Sequence, residues 1–266
     1  MPSSIPTLAV IVGLIILLLA PLIVIRIFSL RPSQRRPKAR DPGTPTRLLV
    51  ILGSGGHTAE MFSLLHNLDT LKYTYRSYVV SSGDAFSATK AQEFERGLYD
   101  IARAAAHKAS QEKRRPGSND DADVKTKEDY YGSYDIEVVP RARKIYQSIW
   151  TTPFTSLSCL SSCFRILMSK SNTSDVHLGY PDLIISNGPG TGVIVIAASL
   201  VLRFLYLQGT TGKMRTIYVE SWARVKRLSL SGQILLRITD RFLVQWKELA
   251  NDLGPKAEYI GVLVSK

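Results

Sequence analysis

The sequence predicts an α/β domain built on a Rossmann-like parallel sheet and preceded by one transmembrane helix. Three observations predict it. An uncharged apolar run opens the chain. Short apolar runs then alternate with longer stretches of helical periodicity. Two of the short runs end in glycine loops that lead straight into a helix. The bulk numbers agree with a folded protein: 266 residues, 45% hydrophobic and 21% charged. Two cysteines exclude a disulfide framework, and 13 prolines exclude a collagen-like chain. The net charge is +12, and half of it sits in residues 1–47, which hold seven basic side chains against Asp41. The rest is only mildly basic, which disfavours a nucleic-acid binder.

The first 25 residues carry no charge, and the run LAVIVGLIILLLAPLIVI is long enough to span a bilayer as a helix. Pro21 is tolerable within it. A cleaved signal peptide would need a basic n-region, and none is present. The cations from Arg26 to Arg47 follow the run and keep that flank in the cytosol. They also suit anionic headgroups. Residues 1–31 are therefore expected to be a single-pass anchor. Residues 32–46 form a basic, Pro-rich linker, and residues 47–266 one cytosolic domain. The sequon at Asn172 should stay unmodified in that topology.

The domain reads in order. RLLVIL at 47–52 is a buried strand, 57–71 an amphipathic helix and 75–80 a second strand. Residues 84–108 are mostly helical, and 110–130 form a charged insertion too poor in apolar residues to fold. Residues 135–139 are a third strand, 182–186 a fourth, 191–206 an apolar helix and 215–220 a fifth strand. Residues 224–237 read as a helix and 240–245 as a sixth strand. Between them, 154–168 place Leu157, Leu160, Phe164, Leu167 and Met168 on one helical face, which suits either the core or a membrane interface. Cys159 and Cys163 lie on the same helix and are expected to be reduced thiols.

The chemistry concentrates after two strands. The first loop is Gly53-Ser54-Gly55-Gly56-His57-Thr58, then Glu60 in the helix. Glycines admit close approach to the backbone, and a helix N-terminus offers free N–H groups to a phosphate. The order matches neither G-x-G-x-x-G nor the Walker A loop. His57 is open to three roles: general base toward a hydroxyl, hydrogen bonding to a phosphate, or a helix start without chemistry. The second loop is Asn187-Gly188-Pro189-Gly190-Thr191-Gly192, also before a helix. Glu220 ends an apolar strand, where a buried carboxylate needs a ligand hydroxyl, a helix N-terminus or Arg224. Arg141, Arg143 and Lys144 follow the third strand and suit either lipid phosphates or plain exposure. No His/Cys cluster has metal-ligand spacing, and no cofactor is implied.

Several stretches occur together in order: the anchor, LLVILGSGGHTAEM, YVVSSGDAFSATKAQEFE, VPRARKIYQS, PDLIISNGPGTGV and IYVESWARVKRLSLSGQILLRITDRFLVQW. In these the chain resembles the membrane-anchor subunits of the UDP-N-acetylglucosamine transferase of the asparagine-linked glycosylation pathway. The resemblance implies the acceptor half of a GT-B glycosyltransferase. A separate small soluble subunit would supply the sugar-nucleotide half and dock on the C-terminal tail AEYIGVLVSK, which also suits a final strand. The pair would add the second N-acetylglucosamine to dolichyl-diphosphate-N-acetylglucosamine at the endoplasmic reticulum membrane or nuclear envelope. Gly53, Ser54, Gly55, Gly56 and Thr58 would hold the acceptor diphosphate with Asn187, Gly188, Gly190 and Thr191. His57 would assist deprotonation of the acceptor hydroxyl, and Glu220 would orient the acceptor sugar or brace the loops. The rival reading is a self-sufficient membrane-tethered transferase acting on a lipid-linked acceptor.

Overall fold

The computed structural model describes residues 44–113, 131–141, 152–169, 171–173, 176–188, 190–205 and 209–263. The expected anchor, most of the linker, insertion residues 114–130, Arg143 and Lys144 lie outside the described residues. Among the described residues no helix is long and apolar enough to cross a membrane.

The elements run β1 (Arg47–Ile51), α1 (Gly56–Leu65), β2 (Tyr75–Ser81), α2 (Ala85–Lys113), β3 (Ser133–Val139) and α3 (Thr152–Met168). A hairpin of β4 (Ser171–Thr173) and β5 (Val176–Leu178) follows. Then come β6 (Leu183–Ser186), α4 (Gly190–Phe204), β7 (Arg215–Val219), α5 (Leu230–Leu235), β8 (Arg241–Val244), α6 (Lys247–Leu253) and β9 (Glu258–Tyr259). Among the described residues seven strands form one sheet in the order β3-β2-β1-β6-β7-β8-β9, every pair parallel. The chain winds outward from β1 to β3, then restarts at β6 on the other side of β1. The switch point of this doubly wound sheet is therefore the β1/β6 boundary, where such sheets bind ligands.

Strand alternation divides the core. Leu48, Val50 and Leu52 face the layer of α1 and α2, with Met61, Leu65 and Ala91. Leu49 and Ile51 face α3 and α4, with Cys163, Leu167, Val195 and Ile196. Burial on both faces is why these strands read as unbroken apolar runs. Two buried arginines fix the layers. Arg76 meets Glu95 of α2 at 2.7 and 2.8 Å, with Tyr78 donating to the same carboxylate at 2.6 Å. Arg47 donates to the carbonyls of Ile166, Ser169 and Gly179, closing the end of α3 onto the start of β1.

Four expectations change. The helix read over 57–71 ends at Leu65, because the Asp69 carboxylate takes the N–H groups of Leu71 and Lys72 into a turn. The helix α2 runs on to Lys113, so the first residues of the expected insertion are helical. The helix read over 224–237 shrinks to Leu230–Leu235. Ser229 caps it through Gly232 N–H at 2.9 Å, while Glu220 accepts both the N–H and the hydroxyl of Ser229. That pins 221–229 as a loop. On α3 the buried side chains are Cys159, Cys163, Ile166 and Leu167, whereas Leu157 and Met168 are exposed. The thiols are free.

Candidate functional site

The first loop is set by β1 and capped by its own interior. Gly55 lies at φ +59°, a conformation that L side chains rarely adopt, and it forms the N-cap of α1. Thr58 and Ala59 donate their N–H groups to its carbonyl. The expected diphosphate ligand Thr58 is instead fully buried beneath the loop. Its hydroxyl donates to Gly53 O and meets Ser87 Oγ at 2.7 Å. Ser87 Oγ also lies within hydrogen-bonding distance of Gly53 O at 3.1 Å and of Asp84 Oδ2 at 2.7 Å, its one proton shared among these acceptors. The carbonyl of Gly53 is thus held from inside. The opening N–H groups of α1 have no carbonyl one turn back.

The second loop closes against the first. A Cβ at Gly188 would stand 3.1 Å from Gly53 Cα, and one at Gly192 would stand 2.2 Å from Ser186 Oγ. Asn187 reaches across the switch point, donating its Nδ2 to the carbonyl of His57 at 2.5 Å. Among the described residues the buried Nδ1 of His57 and Oδ1 of Asn187 have no hydrogen-bond partner. Buried polar atoms are ordinarily satisfied, so each of these two has an acceptor or donor position left for a water or a ligand.

Over the carboxyl ends of β1, β2 and β6 lies a cleft of about 340 Å³. Of the expected residues it is lined by Gly53, Ser54, Gly188, Gly190 and Thr191. Thr191 pairs with Ser81 at 3.0 Å. Gly55, Gly56, His57, Thr58, Asn187 and Glu220 are not in the lining. A Cβ at Gly55 or Gly56 would meet nothing within 4 Å, so the mouth of α1 is open. Sequence reasoning did not place Ser81, Asp84, Leu230 or Ser231 here, and it left Arg141 unassigned; all five line the cleft. Arg141 is the cation among them, held at the rim by its bond to Ser82 O at 2.9 Å. The position of Ser81 and Asp84 at and just after the carboxyl end of β2 was the available signal for them. Leu230 and Ser231 were hidden by reading their segment as helix interior.

Glu220 resolves among its three options. It is 1% exposed, and its carboxylate accepts from Ser229 and from Ser221 N–H, at the start of α5. Burial pushes its carboxyl above the usual range, only partly opposed by those bonds. A second buried carboxylate, Glu60 of α1, accepts from Ser221 Oγ at 2.9 Å and from Gln245. Gln245 also holds Glu220 O and accepts the N–H of Leu263. Glu220 and Glu60 thus brace the loops after β7 and β8 against α1.

Chemically, the assembly offers bare glycine backbone, helix N-termini, the Arg141 guanidinium and the Asp84 carboxylate around an open cleft. Backbone N–H groups at helix starts can accept an anionic group. Known proteins are similar along most of the chain. Residues 48–263 match the family described as "Oligosaccharide biosynthesis protein Alg14 like". The UDP-N-acetylglucosamine transferase subunit alg14 of Aspergillus fumigatus is 38% identical over 243 residues, covering 77% of this chain and 100% of that one. The subunit of the same name from Schizosaccharomyces pombe is 37% identical over 88% of this chain and 89% of its own. The human one is 34% identical over 84% and 85%. A crystal structure of Acinetobacter baumannii MurG is similar at a TM-score of 0.44 and 11% identity, over 81% of this chain and 44% of that chain. With a match that runs nearly from the first strand to the last described residue, the chain belongs to the Alg14-like family of oligosaccharide biosynthesis proteins.

Proposed function

We propose that the chain is the membrane-anchoring, acceptor-binding subunit of a two-subunit UDP-N-acetylglucosamine transferase. In this reading it recruits a small soluble subunit that carries the sugar nucleotide. The pair transfers the second N-acetylglucosamine to dolichyl-diphosphate-N-acetylglucosamine at the cytosolic face of the endoplasmic reticulum, for protein N-glycosylation. The names of the relatives support the transferase assignment. The uncharged N-terminal run and its basic flank support the anchor. A single parallel sheet of seven strands among the described residues supports the split into two subunits.

The observation that carries the acceptor role is Gly56. Its φ is not positive, and a side chain there would strike nothing within the protein. Neither backbone strain nor packing explains a bare residue at the start of α1. A ligand pressed against that N-terminus does. The acceptor diphosphate lies there, with Arg141 at the rim and Gly188, Gly190 and Thr191 as the second wall. His57 takes the proton of the acceptor hydroxyl as that oxygen bonds to the anomeric carbon and UDP leaves. Asn187 holds the backbone of His57 in register, and Glu220 braces the loop after β7.

The test is transfer of N-acetylglucosamine to a short-chain polyprenyl-diphosphate-N-acetylglucosamine in membranes carrying this chain. Activity is expected only when the soluble subunit is added. Activity of this chain alone would overturn the split and favour the self-sufficient transferase. No activity with both would overturn the acceptor role.

A further inference from the structure

We propose that an exposed ledge formed by Trp222, Val225 and Leu230 is the seat of the soluble sugar-nucleotide subunit, extending its docking surface from the C-terminal tail to the cleft. The inference rests on the split-enzyme reading above. Trp222 is 46% exposed, Val225 37% and Leu230 75%. Exposed apolar groups of this size, two on one loop and the third at the first residue of α5, suit an interaction surface.

The ledge is continuous at both ends. At one end Leu230 is itself part of the cleft lining. At the other, the Trp246 indole donates to the carbonyl of Trp222 at 2.5 Å, and the adjacent Gln245 accepts the N–H of Leu263 in the tail. Strands β7, β8 and β9 are neighbours in the sheet. Trp222, Trp246 and Val262 therefore follow their carboxyl ends in a row, on the same edge as the cleft.

Reach decides the occupant. Transfer requires the donor sugar within bond-forming distance of an acceptor held at the cleft. The strand β9 lies three strand spacings from β6, roughly 14 Å. A subunit that extends from the tail to the cleft must pass over the loops that follow β8 and β7, where the ledge lies. Charge sets the kind of surface that fits. Residues 221–239 hold Arg224, Lys226, Arg227 and Arg237 at exposed positions and contain no acid. The matching face is apolar with an acidic rim, and Trp and Arg are the residue types that anchor such interfaces.

The experiment uses the full chain in membranes and the labelled soluble subunit as probe. Trp222→Ser and Val225→Asp, each alone, should weaken its binding at least tenfold, with protease resistance of the domain unchanged. The triple charge reversal of Arg224, Lys226 and Arg227 to Glu should lower the association rate and its salt dependence. The control Leu157→Ser, an exposed apolar residue on α3, should bind like the parent. Equal binding by all variants, while the parent pair still transfers sugar, would overturn this surface and leave the split enzyme standing. Quenching of Trp222 fluorescence by brominated lipids in the assembled pair would also overturn it, because the ledge would then lie on the bilayer. A parent pair that neither binds nor transfers would overturn both readings.

Discussion

A methyl group added at Gly56 would point into open space, whereas one added at Gly192 would run into Ser186 Oγ at 2.2 Å. Both glycines lie in the first turn of a helix that follows a buried strand, on either side of the switch point. In the second loop small size serves the protein itself: Gly188 lets the loop settle on Gly53, and Gly192 leaves room for a buried serine. In the first loop Gly55 is explained from within, by its φ of +59°. On the proposed reading, bare backbone at Gly56 serves a ligand. The same residue type thus builds a wall on one side and leaves a socket on the other.

The sharpest way to break this contrast is Gly56→Asp. Transfer should fall about 100-fold or more, a loss of about 2.7 kcal/mol in transition-state stabilisation, because an anion would occupy the phosphate position. Thermal stability should hold or rise slightly, since an acidic residue in a helix's first turn is favourable by about 0.3–1 kcal/mol. Paired melting and transfer measurements check it, and a drop in both would erase the contrast. Gly192→Ala should behave oppositely, costing about 1–3 kcal/mol of stability through overpacking. Adding Ser186→Ala should return part of that loss, read as a coupling in a double-mutant cycle of unfolding free energies. Arg141→Ala tests the open side from its rim. The acceptor KM should rise about fivefold, near 1 kcal/mol for an exposed charge, with the KM for UDP-N-acetylglucosamine unmoved.

The smallest effect concerns the brace. Burial raises the carboxyl pKa of Glu220 above its ordinary value of 4.5. The folded state therefore favours the protonated form. Its contribution to stability is fully present below pH 4.5 and is lost as pH rises through the folded value. Glu220→Gln should flatten that part of the melting-temperature profile on the neutral side of pH 4.5. An unchanged slope would mean that the carboxylate is as well solvated in the fold as outside it.

Much of the parallel sheet was legible because its strands are buried on both faces, and unbroken runs such as RLLVIL need no partner to be recognised. The switch point was legible too, since both glycine loops follow such runs. What failed was decided by neighbours distant in sequence. Residues 224–229 have helical periodicity, but Glu220 and Ser229 fix a loop there. On α3 apolar residues lie on more than one side, so packing against α4 and β3, not periodicity, buries Cys159 and Cys163 and leaves Leu157 outside. Thr58 was plausible as a ligand from spacing alone. Only the fold shows its hydroxyl spent on Gly53 and Ser87.

The buried guanidinium of Arg47 has a practical consequence for anyone cutting the domain from the residues that precede it. That side chain satisfies three carbonyls near α3 and the hairpin, and the residue before it exchanges bonds with Thr74 and Tyr75. A fragment beginning at Leu48 would look complete by its strand pattern, yet it would leave those carbonyls stranded. A soluble fragment should begin no later than Thr44, and the choice of first residue will decide whether the preparation is a folded protein or an aggregate.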